Sequence, residues 1–243
     1  MKKVFVPFLI IGILAIVHTS FAQSPAVNTR NVIITEGIGE VKGQNDSAGI
    51  SIGVLTEGKQ LEEVSSENTL KTKEVLNVIK GLGIDNLTLE TSNYRVNPRR
   101  DYQARPPKIK GYEVANSIEI TVEGFTPEDL SNHCSTIISK ALASGANTID
   151  RLHFYIQNKN PLEKEALTQA TQAAIKRAET LAAAAGVKLK RIASLSTQSM
   201  QVPPTPQRFM AAEMSAKAAA EAPPIEIGES RIRFQVTVTY EIE

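Results

Sequence analysis

His133 and Cys134 stand side by side, and they are the pair of side chains in this chain best suited to nucleophilic or metal chemistry. Cys134 is the single cysteine in 243 residues. The surrounding pattern places both on a helix, where neighbours point about 100° apart. They therefore make a poor bidentate site, and a metal would need ligands from elsewhere. Cys134 reads as a small buried hydrophobe, with a sulfenic-acid or intermolecular-disulfide role as the chemical alternative. His153 precedes Phe154 on an alternating stretch and reads as a solvent-side strand residue. No nucleophile elbow and no HExxH helix is present. No residue is assigned a catalytic, cofactor-binding or metal-ligating role.

Three other stretches carry weaker chemical signals. Gly37, Gly39 and Gly43 lack the GxxxxGK[ST] spacing and open no helix, so strand bulges or a close backbone approach are expected rather than a phosphate loop. The segment Arg95 to Lys110 interleaves Arg99, Arg100, Arg105 and Lys108 with Tyr102. It reads as a long solvated loop from Asn97 to Lys110. Its surface chemistry suits a neighbouring subunit, anionic envelope polymer or lipid headgroups. The stretch Ser199 to Gly228 is rich in Pro, Ala and Met, with Met200, Phe209, Met210 and Met214. Three methionines could take a soft metal or absorb oxidant, but their spacing matches no metal motif, and a mobile or subunit-contacting insertion is expected.

The elements that must position these residues follow from periodicity. Asn160 to Ala185 has Asn160 as N-cap, Pro161 at the first turn, Glu163 for a capping box, and Gly186 as the stop. Leu167, Ala170, Ala174, Ala178, Leu181 and Ala185 line one face, small enough to lie close on a sheet. Lys59–Lys80, with Leu61, Val64, Asn68, Val75 and Ile79 inward, and Thr126–Ala143, capped by Thr126, are the other helices. Strands fall at Val32–Val41 (one strand or a hairpin), Ala48–Leu55, Leu87–Val96, Tyr112–Val122, Ile149–Gln157, Lys190–Thr197 and Arg231–Ile242. The expected class is α+β: a largely antiparallel sheet with helices mainly on one face. It contains a β-α-β-β-α-β (ferredoxin-like) unit extended by a third helix and two strands.

Composition narrows the function classes. Lys2 and Lys3 precede an apolar run, Val4 to Val17, of about 14 residues, the length of a signal-peptide core. Ser20-Phe21-Ala22 offers a cleavage site, so residues 1–22 are expected to be removed, with 23–30 a flexible N-terminus and 31–243 one domain carrying the 199–228 insertion. Removal of two lysines and no acid takes the net charge from +1 to −1. Near-neutrality gives no general pull on nucleic acid. One cysteine excludes an internal disulfide scaffold.

The opening ITEGIGEVKGQNDSA, Gly111-Tyr112 with Asn116, Gly145-Ala146-Asn147, and the alanine-rich helix through Arg177-Ala178 and Leu181-Ala182 together resemble the SIMPL-domain family. The resemblance covers about Asn31 to Ile242. Asn45-Asp46 stands where members often show Pro-Asp. It implies a secreted or periplasmic bacterial protein, akin to immunogenic envelope antigens, with ring-forming oligomers and oxidative-stress protection among its members. It carries no catalytic residue over.

The resulting expectation is a non-enzymatic periplasmic or secreted protein, homo-oligomeric, with no cofactor and no membrane span after signal removal. It would act through self-assembly or envelope binding. A monomeric ligand-binding module and an enzyme with an unrecognised site are the rival readings. Secreted protein should begin at Gln23; N-terminal sequencing that returns an intact Lys2-Lys3 segment would refute cleavage.

Overall fold

Every second residue from Thr35 to Gly39 is buried, and this alternation runs through one uninterrupted strand of 13 residues, β1 (Val32–Gln44), not a hairpin. The computed structural model describes residues 31–200 and 224–243. The expected signal peptide, residues 23–30, and Phe209, Met210 and Met214 lie outside the described residues. The elements after β1 are β2 (Ser47–Gly58), α1 (Leu61–Lys80), β3 (Leu87–Asp101), β4 (Lys108–Glu123), α2 (Pro127–Ala143), β5 (Thr148–Tyr155), α3 (Asn160–Ala185), β6 (Leu189–Met200) and β7 (Glu229–Ile242).

The fold is α+β and antiparallel, but its strands form two sheets rather than one. The first has the order β3-β4-β2-β5, the arrangement of a ferredoxin-like split βαβ unit. The second has the order β1-β7-β6. The corner between β1 and β2 divides them. The Asp46 N–H bonds to the Tyr155 carbonyl at 3.2 Å, and the Gly124 and Phe125 N–H groups bond to the Asp46 carbonyl at 3.0 Å. Asn45 donates to the Gly228 carbonyl and accepts from Ser230 Oγ, both at 2.6 Å. The backbone of this corner bonds to the first sheet and the Asn45 side chain bonds to the approach to β7, so the corner is tied to both sheets where β1 turns away from β2 to pair with β7.

Helices α1 and α2 cover the first sheet. Ile50, Ile52, Ile118, Ile120 and Val122 meet Val75 and Ile79 of α1 and Leu130, Cys134 and Ile137 of α2. Thr126 caps α2, its hydroxyl accepting the Asp129 N–H at 3.2 Å. On α1, Leu61 is exposed and Thr72 is buried in the expected stripe. The segment Pro224–Gly228, expected as loop, brings Ile225 and Ile227 onto this same core, with Ser131 Oγ donating to the Ile225 carbonyl at 2.6 Å.

Helix α3 covers the second sheet and departs from expectation in two ways. Asn160 is its first helical residue, the cap position is Lys159, and no side chain caps it. Instead Asn158 Oδ1 accepts the Asn160 N–H at 3.2 Å, and the Glu163 N–H bonds to the Lys159 carbonyl at 2.9 Å. The inward row is Ala166, Ala170, Ala174, Ala178 and Ala182. Leu181 is 51% exposed and Ala185 is also outside, while Leu167 is partly buried. The helix has rotated to set its smallest side chains against glycine. A Cβ on Gly37 would fall on the Ala170 carbonyl oxygen, and one on Gly39 on the Ala166 carbonyl oxygen. The β1–β7 register is unbroken across both positions, so these glycines serve close approach and not bulges. Thr35 adds a hydroxyl bond to the Ala174 carbonyl at 2.8 Å.

Two boundaries move. The Arg- and Pro-rich stretch is not a loop from Asn97 to Lys110: β3 continues to Asp101, β4 begins at Lys108, and only 102–107 is the tip. Pro98 is tolerated because β3 is an edge strand. Met200 ends β6 rather than lying in the insertion.

Gly37→Ala or Gly39→Ala should lower stability by about 2 kcal/mol or more in urea unfolding, because backbone must move. Gly43→Ala should be milder, since its neighbours are the side-chain tips of Leu162 and Ile156. Equal effects at all three would refute the close-approach account.

Candidate functional site

A β-strand hairpin outlasting its sheet becomes a two-stranded ribbon, which is marginal without further support. Here β2 ends where Gly58 pairs with Tyr112, while β3 and β4 continue through Arg99↔Gly111, Arg100↔Ile109 and Asp101↔Lys108. The support is electrostatic and steric. Arg99 forms an ion pair with Glu57 of β2. Gly111 passes close to the Gly58 carbonyl, where a side chain would collide. Asn97 Nδ2 donates to Glu113 Oε1 at 3.2 Å.

The four predicted cations are therefore placed along one projection. Arg99 sits at its base, Arg100 and Lys108 on its strands and Arg105 in its tip, all exposed. Tyr102 at the tip is 77% exposed, and Ile109 is 50% exposed. At the base, Arg99 joins Lys59 and Lys110 around a shallow depression of about 210 Å³ whose other lining residues are Glu57, Gly58 and Gly111. Sequence reading missed Lys59 and Glu57, which lie some forty residues before the ribbon; only strand pairing brings them there. Three cations against one carboxylate favour an anionic contact, but each exposed pair contributes only about 0–1 kcal/mol. Useful affinity would need many such contacts at once.

The titratable residues do not converge. Cys134 is fully buried in the first core, and burial pushes its thiol up to about 12. His133 packs edge-on against Phe125, with ring centroids 4.6 Å apart. Leu152 and Phe154 pack on that core, so His153 between them lies on the opposite, open face of the sheet. Its ring lies over Gly49 and stacks on Tyr155 at 5.8 Å. Tyr155 donates to Glu123 Oε1 at 2.8 Å. Burial, then the bond to and charge of Glu123, push its phenol up to about 12. Among the described residues no group of three His, Cys, Asp or Glu side chains could hold a metal ion. No described helix is long and apolar enough to cross a membrane.

Of the second predicted set, only Met200 is described. It is 37% exposed at the end of β6, opposite Arg233.

Comparison with known proteins gives a consistent picture. The family model for SIMPL, described as a protein of unknown function (DUF541), matches residues 33–240. The 26 kDa periplasmic immunogenic protein of Brucella melitensis biotype 1 is 29% identical over 231 residues, 92% of this chain and 90% of that protein. Its namesake in Brucella abortus strain S19 aligns over the same shares at the same identity. The uncharacterized protein YggE of Escherichia coli K12 is 23% identical over 214 residues, 87% of this chain and 83% of its own length.

A thiol at about 12 leaves roughly one molecule in ten thousand as thiolate at pH 8. The native chain should therefore give no colour with a disulfide reagent at pH 8 and one thiol after denaturation. Both raised groups favour the folded state fully below pH 9, and that contribution is lost as pH climbs toward 12. The urea midpoint should fall over that window, and Cys134→Ala should flatten part of the fall. A reactive native thiol would overturn the burial argument.

Proposed function

The chain belongs to the SIMPL family, and from that premise we propose that it is a periplasmic protein that works through self-assembly or binding of envelope components rather than by catalysis. The observation that carries this reading is the ribbon. It projects past β2, displays Arg99, Arg100, Arg105, Lys108 and Lys110 beside Tyr102 and Ile109, and contains a single acid, Asp101. A projection of cations and exposed apolar groups is suited to contact with another macromolecule. It has no enclosed, water-excluding volume of the sort chemistry uses.

The periplasmic assignment is supported by the Brucella relatives, named as periplasmic immunogenic proteins, and by the basic, apolar and small-residue order of residues 1–22. Any role in oxidative-stress protection would not run directly through Cys134, whose thiol is sealed in the core. The separation of Cys134 from His153 by the sheet lends no support to a Cys–His enzyme.

Chain beginning at Gln23 should elute as a single species whose mass by light scattering is a multiple of the single-chain mass. It should also cosediment with vesicles of anionic lipid but not with phosphatidylcholine alone. Replacing Arg100, Arg105 and Lys108 together by glutamine should reduce one of these at least tenfold while leaving the far-UV spectrum unchanged. A monomer at all concentrations that ignores anionic surfaces would remove the reading.

A further inference from the structure

Two sheets present four outer edges, and an unpaired edge is a template for another strand unless something blocks it. Three of these edges are blocked. β3 carries Pro98, Arg95, Arg99 and Arg100 and has two register shifts. β5 is only 8 residues long, carries Asp150 and Arg151, and meets β2 with a register shift. β1 carries Glu36, Glu40 and Lys42, and Arg177 of α3 donates to the Glu36 carbonyl at 2.5 Å.

The fourth edge, β6, has two register shifts between Leu189 and Ser194, but from Ser194 to Met200 it has none of these devices. From Ile192 to Met200 it contains no charge and no proline. From Ser194 to Met200 its register with β7 is continuous. Its charged residues sit at the start, where Lys190 and Arg191 are ion-paired to Glu243 and Glu241 at 3.1 and 2.8 Å. Helix α3 sits over β1 and β7 and barely touches β6. Leu195 pairs with the fully buried Val238 yet is 58% exposed, and Ile192 is 45% exposed. Among the described residues no strand pairs with the outer side of β6.

We propose that the outer edge of β6 is a strand-addition site, and that its occupant is β6 of a second copy, antiparallel about a two-fold axis. The two three-stranded sheets then become one of six strands. The occupant follows from charge and symmetry. A two-fold centred on Ser196 sets Ser194 opposite Gln198 and Leu195 opposite Thr197 within the regular part of the strand, and no charge faces a like charge there. Such an isologous contact closes at two copies, so β6 supplies a dimeric unit and any larger assembly needs another surface. This inference rests on the self-assembly reading and names the surface that begins it.

The test uses the chain from Gln23 with Ser196→Cys. Cys134 is buried, so only the new thiol is available. Copper-phenanthroline oxidation should give a disulfide-linked dimer on a non-reducing gel, whereas Thr88→Cys on the β3 edge should not. Separately, Ser196→Lys with Gln198→Lys should halve the mass seen by light scattering, with an unchanged far-UV spectrum. No cross-link, or an unchanged mass in an oligomer, overturns the β6 contact and leaves self-assembly standing. A wild-type monomer overturns both readings. A monomer whose outward-facing β6 amides resist hydrogen exchange also overturns the contact, because its own chain then covers that edge.

Discussion

The second layer of this protein depends on a helix backbone touching a strand backbone with almost nothing between. Alanine at every fourth position of α3 and glycine at Gly37 and Gly39 of β1 remove the side chains that ordinarily keep a helix backbone and a strand backbone apart. The contact is dense, so dispersion is gained over many atom pairs. It is also unforgiving, because the colliding atoms are main-chain carbonyls that cannot swing aside. Close seating lets Thr35 and Arg177 bond across the layer, and these bonds fix the helix over β1 and β7. The same placement leaves α3 almost without contact to β6.

The Asn45–Asp46 corner transmits the arrangement to the first layer. Asp46 binds the ends of β4 and β5 through its own backbone and, through its carboxylate, the Gln157 N–H at 2.8 Å. Asn45 ties the entry to β7. Ile225 and Ile227, just before β7, insert into the first core. The two sheets thus share a joint of hydrogen bonds and a strap of apolar residues, although each has its own core.

The chemistry follows from this division. A ferredoxin-like unit buries one sheet face under two helices, and the thiol goes with it. The imidazole of His153 is left on the other face. What remains exposed is the overhang of β3 and β4, where charge and aromatic groups are presented without enclosure. Such a surface suits many weak contacts made together, as in an assembly or on a polymer, because each solvated pair contributes little alone.

Much of this was legible in the chain. Strand alternation, the Thr126 cap, and helix stops at Gly145 and Gly186, both with positive φ, are local matters of backbone sterics and period. The cations of the ribbon were legible by type, and the alanine stripe by spacing. Local rules could not say that Arg100 and Lys108 lie on paired strands, because a proline-bearing edge strand reads like a loop. Nor could they choose between Leu181 and Ala182 for the buried row, since the two differ by one helical step and the choice belongs to Gly37 and Gly39 on another element. The split into two sheets, the meeting of Lys59 with Arg99, and the place of β6 at the edge of the second sheet among the described residues were decided by tertiary structure. Each depends on which backbone groups are left over after distant segments have paired.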